Sequence, residues 1–251
     1  MKKEAYRLDR WLSASGYGSR RDIRALIRSG AVTLDGRTLL SADEKIDVDE
    51  ARRILFHQEA AQLQLHQLLM MNKAAGTLTA MEDKTQRTVA DDLPTELLNR
   101  KLSPVGRLDK DTEGLLILTN DGELNHRLCS PRYAIIKRYH FAYSGAPFDL
   151  SSQESVARGL LLDDGTPCRP AELIPLEAGR AELLLTEGRF HQVKRMVKAL
   201  GREVLSLRRE SIGPLLLDPD LGSGAYRPLS PDECLALYEA VQMPCPPDLR
   251  R

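Results

Sequence analysis

The sequence predicts an α+β protein with two domains: a small helical domain at the N-terminus, followed by a larger domain with a mixed, mainly antiparallel sheet. Three observations support this prediction. The first 60 residues contain two helical patterns and a hairpin signal, the candidate strands beyond residue 100 are short, and the helical patterns among them are scattered. A chain of 251 residues has the length for one or two domains of about 150 residues each.

Two helices and a hairpin are predicted within residues 1–60. Apolar residues at helical spacing precede a break, and a serine then opens a second helix with an acid three residues later, which is a capping-box pattern. The second helix ends at a glycine, and alternating apolar residues lead into a hairpin turn. In order, these signals are Leu8, Trp11 and Leu12 before Ser15-Gly16, Ser19 with Asp22, Gly30, and Val32 and Leu34 before Asp35-Gly36.

The second helix has an apolar face beside a basic one. At about 100° per residue, Ile23, Leu26 and Ile27 share one arc. The adjoining arc holds Arg20, Arg21, Arg24 and Arg28. Eight basic and three acidic residues give residues 1–30 a net charge of +5, although the whole chain is neutral. A solvated helix face accounts for such a stripe, and an RNA-binding face accounts for it as well.

Cysteine usage and hydropathy exclude several classes of protein. The four cysteines are widely spaced, contain no C-x-x-C pair and fit no metal-site template. The N-terminus lacks the apolar core of a signal peptide, and no later run approaches the roughly 20 apolar residues of a membrane span. We therefore expect a cytoplasmic protein with reduced thiols, no metal and no membrane partner.

Residues 61–69 are predicted to link the two domains. The stretch from His57 to Leu69 is rich in Gln, Ala and His and weakly periodic, which indicates a connector or a linker helix. The second domain is expected to span residues 70–243, and residues 244–251 are expected to form a flexible tail. Candidate elements of the second domain are strands at 115–119, 138–143, 181–185 and 203–208 and a helix at 190–200.

The first segment with candidate chemistry is Gly106-Arg107-Leu108-Asp109, which continues through Asp111-Thr112-Glu113-Gly114 into an apolar strand. It places Asp109 at the mouth of a hydrophobic wall, the setting in which a carboxylate becomes a nucleophile or a base. An aspartate in a turn is also common for purely structural reasons. On an extended segment, the carboxylates of Asp109 and Asp111 would lie at about 7 Å, which suits an inverting hydrolase.

Two further segments contain aromatic and basic residues. Tyr139, Phe141 and Tyr143 alternate on a predicted strand, and such a stripe equally suits the core face of a strand. From residue 185 to residue 196, a strand and a glycine turn lead into a helix. On a helical wheel its core face holds Phe190, Val193, Val197 and Leu200, and its cationic face holds His191, Lys194, Arg195 and Lys198.

These segments resemble a known enzyme family. Residues 106–116, the Lys-x-Tyr at 137–139 and residues 185–196 are similar to the motifs of RsuA-type pseudouridine synthases, which isomerise uridine in ribosomal RNA. Residues 6–55 resemble the S4 module, a helical RNA-binding domain, with Asp35 where asparagine is usual. Residues 71–76 resemble the family's first motif, with Ala74 where proline is usual. Loss of the fixed φ of proline loosens this turn by less than about 1 kcal/mol.

The resemblance implies a role for each site residue. Asp109 is the essential carboxylate, Tyr139 stacks on the target base and relays a proton, and Lys194 pairs with Asp109. The implied substrate-binding residues are Arg107, Leu185, Arg189, His191 and Gln192, and the implied RNA-binding residues of the S4-like domain are Arg7, Arg20, Arg21, Arg24 and Arg28. Isomerisation gains no atom, and it therefore requires no cofactor and no metal.

The finer motifs indicate a target. Residues 126–132, 159–165 and 187–189 look closest to the branch of the family that acts on small-subunit 16S rRNA. We therefore expect a monomer whose partner is 16S rRNA or an assembling small-subunit particle. The alternatives are a synthase acting on large-subunit 23S rRNA, then a nucleoside or glycoside hydrolase, and then a noncatalytic RNA-binding assembly factor.

Overall fold

The apolar residues that predict two N-terminal helices form one buried core. The indole Nε1 of Trp11 donates to the backbone oxygen of Ile46 at 3.0 Å, which ties the first helix to a strand. Ser19 caps the second helix by accepting from the backbone N–H of Asp22, as predicted. The core includes Leu8, Trp11, Leu12, Ile23, Ile27, Val32 and Leu34.

The computed structural model describes residues 4–177 and 179–250. Lys2 and Lys3, which contribute to the predicted basic segment, lie outside the described residues, as does Arg251. The N-terminal domain consists of β1 (Ala5–Arg7), α1 (Leu8–Ala14), α2 (Arg20–Arg28), β2 (Val32–Leu34), β3 (Arg37–Thr38), β4 (Lys45–Asp47), α3 (Val48–Ala51), β5 (Ile54–Phe56) and β6 (Glu59–Ala60). β1 pairs with β4, and the remaining strands form a sheet in the order β3-β2-β5-β6.

The predicted hairpin turn is confirmed. β2 and β3 pair in antiparallel register on either side of Asp35 and Gly36. These two residues have φ values of 50° and 81°, the two successive left-handed conformations that a two-residue turn needs to match the twist of its strands.

The second domain is built on a nine-stranded sheet. Its elements are β7 (Leu68–Lys73), α4 (Thr95–Leu98), β8 (Ser103–Pro104), β9 (Glu113–Thr119), α5 (Gly122–Cys129), β10 (Lys137–Ser144), α6 (Leu150–Arg158), β11 (Glu172–Pro175), β12 (Arg180–Leu185), α7 (Gln192–Ala199), β13 (Glu203–Ile212), β14 (Leu215–Leu216), β15 (Tyr226–Pro228) and α8 (Pro231–Ala240). Short 3-10 helices lie at Val89–Asp92, Pro131–Tyr133 and Pro247–Leu249. Within the described ranges, none of the helices has the length and apolar content to cross a membrane.

The sheet is mixed and mainly antiparallel, as predicted. Its main strand order is β11-β12-β10-β13-β9-β7-β15, and β8 and β14 pair at its side with β9 and β13. β13 and β9 are parallel neighbours, whereas the other pairs are antiparallel. All four strands predicted by alternation and apolar runs are present, each extended by a few residues, and the predicted helix is α7.

Gly114 lets β9 lie directly against β13. It has a φ of 99°, and a Cβ atom at this position would lie only 2.4 Å from the backbone oxygen of Arg209. Any larger residue would therefore push the two strands apart. Since residues 106–112 lead directly into β9, this close approach fixes where that loop emerges from the sheet.

Apolar side chains fill the space between the sheet and its helices. One cluster joins β7 and β9 to α5 and α8, and it includes Met70, Leu115, Ile117, Leu124 and Leu237. A second cluster joins β10 and β12 to α6 and α7, and it includes Phe141, Leu183, Val156, Met196 and Val197. Alternate residues of β7 and β9 pack in a third cluster, so both faces of these central strands are buried.

The connector contains no helix between residues 57 and 67, so the linker-helix alternative is wrong. Glu59–Ala60 is a short strand, and the chain then runs without regular structure to β7 at Leu68. Ala61 and Leu65 are buried against the N-terminal core. Packing of these side chains, together with pairing of β6 with β5, outweighs the helix propensity of the alanines and glutamines.

The expectation of a flexible tail is wrong for residues 244–250. Cys245 and Leu249 are buried in the cluster around α8. The carboxylate of Asp248 accepts from the backbone N–H groups of Leu65 and His66 at 2.9 and 2.8 Å and lies 2.8 Å from the His66 Nδ1. The chain end thus fastens the connector to the second domain.

Replacing Asp248 by Ala is expected to destabilise the protein by about 2 kcal/mol, because two buried backbone donors and a histidine lose their acceptor. Burial alone would raise the pKa of Asp248, but the hydrogen bond and the charge of His66 lower this pKa by a larger amount. The pKa of Asp248 therefore lies below its ordinary value of 3.8. Its stabilising contribution is therefore complete above pH 3.8 and decreases as the pH falls through the lower folded-state pKa.

Urea unfolding of the wild type, Asp248→Ala and the exposed control Asp220→Ala at pH 7 and near pH 3 measures this effect. The deficit of Asp248→Ala is expected at pH 7 and should shrink at acid pH. Equal midpoints for both variants at pH 7 would contradict the role assigned to Asp248.

Candidate active site

Asp109 lies in the loop between β8 and β9, where its carboxylate meets the start of α7. The Lys194 Nζ lies 3.2 Å from its Oδ2, and the His191 Nε2 lies 3.5 Å from its Oδ1. The side chains of Asp109 and Lys194 are 23% and 26% exposed. Partial removal of water strengthens the attraction between the two charges. The predicted pairing of Asp109 with Lys194 is therefore present in the structure.

Lys194 also binds Asp111, with 2.5 Å between its Nζ and the Asp111 Oδ1. This hydrogen bond lowers the pKa of Asp111 and outweighs the opposite effect of burial. Burial lowers the pKa of Lys194, but its hydrogen bonds to the two carboxylates raise it above its ordinary value. The segment is closed as a turn by the Thr112 N–H donating to the Asp109 oxygen at 3.1 Å. The extended geometry assumed for a hydrolase pair was wrong.

The loop before α7 is held rigidly by a buried glutamate and a buried glutamine. The Gln192 Nε2 donates to the Glu187 Oε1 at 2.7 Å, and the Arg189 backbone N–H donates to the Gln192 Oε1 at 2.8 Å. His191, at the N-terminal boundary of α7, has φ 49° and ψ 32°. This left-handed conformation is uncommon outside glycine and persists where surrounding contacts enforce it.

A cavity of about 100 Å³ opens beside Asp109. Its volume is several times that needed by one water molecule. The residues expected to contact substrate line this single cavity together with Asp109 and Tyr139: Arg107, Leu185, Arg189, His191 and Gln192. Residues from three separate segments of the chain therefore converge as the motifs predict.

Tyr139 lies both in the core and at the cavity. Phe141 and Tyr143 are buried on the same face of β10, as the core interpretation of the aromatic stripe predicts. Tyr139 is 8% exposed and belongs to the same cluster, yet it also lines the cavity beside Asp109. Phe141 and Tyr143 of this aromatic stripe thus serve the core only, whereas Tyr139 also contributes to the cavity.

The sequence analysis missed three polar residues at the cavity. The Arg209 Nε donates to the backbone oxygen of Leu115 at 2.8 Å, but its buried Nη2 has no partner among the described residues. The buried hydroxyl of Thr112 has none either. Lys137 is buried and donates to the Ile135 oxygen at 3.3 Å, and burial, with the charge of Arg209, lowers its pKa.

These three residues differ in how they could have been found. Lys137 is the first residue of the Lys-x-Tyr motif, and Thr112 lies within the Asp109 segment. Both therefore belong to motifs identified in the sequence, although neither was assigned a role there. Nothing local marks Arg209, which lies between two other charged residues, Arg208 and Glu210, on β13. Its pairing with Tyr139 on β10 and the parallel pairing of β13 with β9 bring it to the cavity.

Lys73, in the first motif, supports the Asp109 loop through hydrogen bonds to its backbone. The buried Lys73 Nζ donates to the backbone oxygens of Ala74, Lys110 and Thr112 at 3.0, 3.2 and 2.8 Å. Burial lowers the pKa of Lys73 to about 8, so the side chain remains mostly cationic at neutral pH. Two of these hydrogen bonds fix the backbone on the C-terminal side of Asp109, and the third binds the backbone of Ala74 in the first motif.

A threonine fixes the N-terminal side of the same loop. The Thr79 hydroxyl donates to the Leu108 oxygen at 2.7 Å and accepts from the Leu108 N–H at 3.1 Å. Both groups are buried, so they have little competition from water. The backbone of Asp109 is thus held from two directions.

The arginines of the N-terminal domain fall into two groups. Arg7 and Arg24 bind the buried carboxylate of Asp9, at 2.8 and 3.3 Å. The hydrogen bond from Arg7 is the largest contribution to the lowered pKa of Asp9. The side chains of Arg20, Arg21 and Arg28 lie on the exposed face of α2. Arg7 and Arg24 therefore have a structural partner that the stripe alone did not reveal.

A large open groove runs between the two domains. It has a volume of about 970 Å³ and is lined from both sides by basic side chains, among them Arg10, Arg20, Arg100 and Lys101. The sequence analysis did not predict it, because its two walls come from segments distant in the chain.

Phe190 is not on the core face of a helix, and that prediction was wrong. Its side chain is 76% exposed, the highest value among the large hydrophobic residues that the structure describes. The helix begins only at Gln192, after the left-handed His191, so the helical phase does not extend back to residue 190.

Both domains of the molecule match family models of proteins that act on RNA. These matches define its class as an RNA-modifying enzyme. Residues 7–51 match the S4 domain model, and residues 67–199 match the model described as RNA pseudouridylate synthase. The chain belongs to the RNA pseudouridylate synthase family, and it is therefore an isomerase.

Several relatives are similar over nearly their whole length. An uncharacterised RNA pseudouridine synthase of Bacillus subtilis is 41% identical, over 93% of this chain and 98% of the relative. Ribosomal small subunit pseudouridine synthase A of Escherichia coli K12 is 36% identical, over 90% and 97%. A crystal structure of a pseudouridylate synthase has a TM-score of 0.65 at 34% identity and covers 92% of this chain and 99% of that one.

Replacing Lys73 by Met, which keeps the apolar stem, is expected to reduce stability by about 2 kcal/mol and to lower kcat more than it raises KM. Three carbonyl groups lose their donor, and the backbone around Asp109 loosens. The control is Lys110→Met, which removes an exposed ammonium from the same loop. Urea unfolding and single-turnover assays on RNA measure both effects, and identical results for the two variants would contradict the bracing role.

Proposed function

We propose that this protein isomerises a specific uridine to pseudouridine in ribosomal RNA, and that the uridine lies in small-subunit 16S rRNA. The proposal for the target rests on relatives named ribosomal small subunit pseudouridine synthase A in Escherichia coli, Yersinia pestis and Haemophilus influenzae, at 35 to 36% identity. The substrate is 16S rRNA, either free or within an assembling small-subunit particle. The protein catalyses the isomerisation in the cytoplasm as a monomer.

The observation that carries the proposal is the cavity beside the lysine-bound Asp109. Its wall includes Arg209 and Thr112, each with a buried polar atom that lacks a partner. Uracil is a planar ring with two carbonyl acceptors and one N–H donor, so it offers partners to both groups. Binding such a base removes the cost of leaving buried polar atoms unsatisfied.

The chemistry requires few groups. The C1′–N1 bond breaks, the uracil turns while bound, C5 bonds to C1′, the proton on C5 leaves, and N1 gains a proton. Asp109 is the reacting carboxylate, whether it attacks C1′, attacks the base or removes a sugar proton. Lys194 pairs with the Asp109 carboxylate, and Arg107 orients the substrate. Tyr139, which shares the cavity with Asp109, carries the proton that leaves C5.

The arrangement supports isomerisation better than hydrolysis. An inverting hydrolase needs a second carboxyl group that holds a proton at working pH. Asp111 does not fit this need, because its hydrogen bond from Lys194 lowers its pKa. The same lysine binds both acids, so neither is set up as a proton donor.

The N-terminal domain supplies RNA affinity in this proposal. Arg20, Arg21 and Arg28 present exposed guanidinium groups on α2, and Arg20 also lines the groove between the domains. Phosphate groups are bound there by charge, while the target nucleoside leaves its stack and enters the cavity. Arg7 and Arg24 contribute less, because Asp9 already neutralises part of their charge.

Asp109→Asn is expected to abolish isomerisation and leave RNA affinity within about twofold of the wild type, because the amide keeps the shape but cannot act as nucleophile or base. The measurement is tritium release from 16S and 23S transcripts labelled at C5 of uridine, with filter binding alongside. Asp220→Asn is the matched surface control. The assignment fails if Asp109→Asn still releases tritium, or if free uracil appears in place of an intact isomerised strand.

Arg20→Ala combined with Arg28→Ala is expected to weaken RNA binding and to reduce the salt dependence of the binding constant by about two phosphate contacts. The control is Arg158→Ala with Arg180→Ala, which removes two exposed charges from the second domain. Affinity is measured between 50 and 200 mM salt. An unchanged salt slope would show that the stripe is a solvated surface only.

A further inference from the structure

The ring of Phe190 lies in solvent next to the cavity, where hydrophobicity alone would not place it. Within residues 4–177 and 179–250, the other exposed large hydrophobic side chains are aliphatic. An exposed phenylalanine leaves apolar area in water that folding normally removes. Packing in the hydrophobic core therefore does not explain why a phenylalanine occupies this position.

Phe190 stacks on His191. The two ring centroids are 3.8 Å apart and the ring planes differ by 19°. His191 lines the cavity, and its Nε2 lies 3.5 Å from the Asp109 Oδ1. The two rings therefore form a continuous stack that starts at the reacting carboxylate and ends in solvent.

The stack is presented on a rigid support. The loop that carries it is closed by the hydrogen bonds among Glu187, Arg189 and Gln192. Glu187 also accepts from the backbone N–H of Arg169 at 2.9 Å, which anchors the loop to a second segment. A surface whose aromatic face is already oriented loses little conformational entropy on binding.

The surroundings of Phe190 favour a nucleic acid over a protein partner. Arg189, which precedes Phe190, is 41% exposed and pairs with the buried Glu187 at 3.2 Å, and Lys198 is exposed further along α7. A protein-binding patch needs several hundred Å² of contiguous apolar surface, whereas a nucleobase needs one aromatic face and nearby cations for its phosphates.

We propose that the Phe190–His191 stack is a docking site for an unpaired RNA base, the neighbour in sequence of the nucleotide that enters the cavity. This proposal rests on the proposed function for the position of the target nucleotide. The base adds a third ring to the stack, and its phosphodiester link to the target lies beside Arg189 and Lys198. The stack thereby holds the strand open on one side of the flipped nucleoside.

The test compares the full-length wild type with Phe190→Ala, Phe190→Leu and Phe190→Trp. The probes are a single-stranded 12-nucleotide oligouridylate and the same strand with one 2-aminopurine. Phe190→Ala is expected to weaken binding about tenfold and to remove the fluorescence quenching of the bound 2-aminopurine, because base stacking on an aromatic side chain is lost. Phe190→Trp should restore both, and Phe190→Leu should restore neither.

The control is Leu216→Ala, which removes another exposed hydrophobic side chain, 64% exposed on β14. It is expected to bind both probes like the wild type. The proposal is overturned if Phe190→Ala binds and quenches as the wild type does, or if Phe190→Leu restores binding as well as Phe190→Trp, which would indicate a general apolar contact.

Turnover measurements distinguish a failure of this inference from a failure of the proposed function. On a 16S transcript, Phe190→Ala should raise KM about tenfold with kcat changed by less than about threefold, because the ring binds a neighbour and not the reacting base. If the wild type releases no tritium from any ribosomal RNA, the proposed function fails, while the oligonucleotide measurements still decide whether the stack binds a base.

Discussion

One ion pair, between Asp109 and Lys194, governs the architecture of the site. A carboxylate that is three-quarters buried loses much of its hydration, and the attraction of a nearby cation offsets that loss. That cation comes from α7, far along the chain from the Asp109 loop. The sheet must therefore hold two distant segments within about 3 Å of each other, as the β9–β13 pairing and Gly114 do.

Much of the fold followed from local patterns. The N-cap at Ser19, the Asp35-Gly36 turn and the apolar stripe of α2 depend on residues within a few positions of one another, and all three are present. Alternation and apolar runs likewise identified four strands of the sheet. The convergence of three motifs on one cavity came from resemblance to a family, because spacing along the chain does not reveal distance in space.

The misses arose where long-range contacts overrode local signals. Phe190 fits a helical wheel, but the left-handed His191 moves the start of α7 past it. The last residues look like a polar, proline-rich tail, yet Asp248 finds two backbone donors in the connector. Arg209 comes to the cavity through the pairing of β13 with β10 and β9. For Asp248 and Arg209 the deciding partner lies too far away in sequence for a pattern to indicate it.

The anchoring of the connector by Asp248 has a consequence for synthesis on the ribosome. Domains generally fold as they emerge, beginning with the N-terminal one. The backbone donors of Leu65 and His66 acquire their acceptor only when Asp248, far later in the chain, has been synthesised and has left the exit tunnel. A nascent chain that has not reached this residue thus carries an N-terminal domain whose connector still lacks its acceptor, and the joint between the domains forms only after the strands and helices of the second domain have been made.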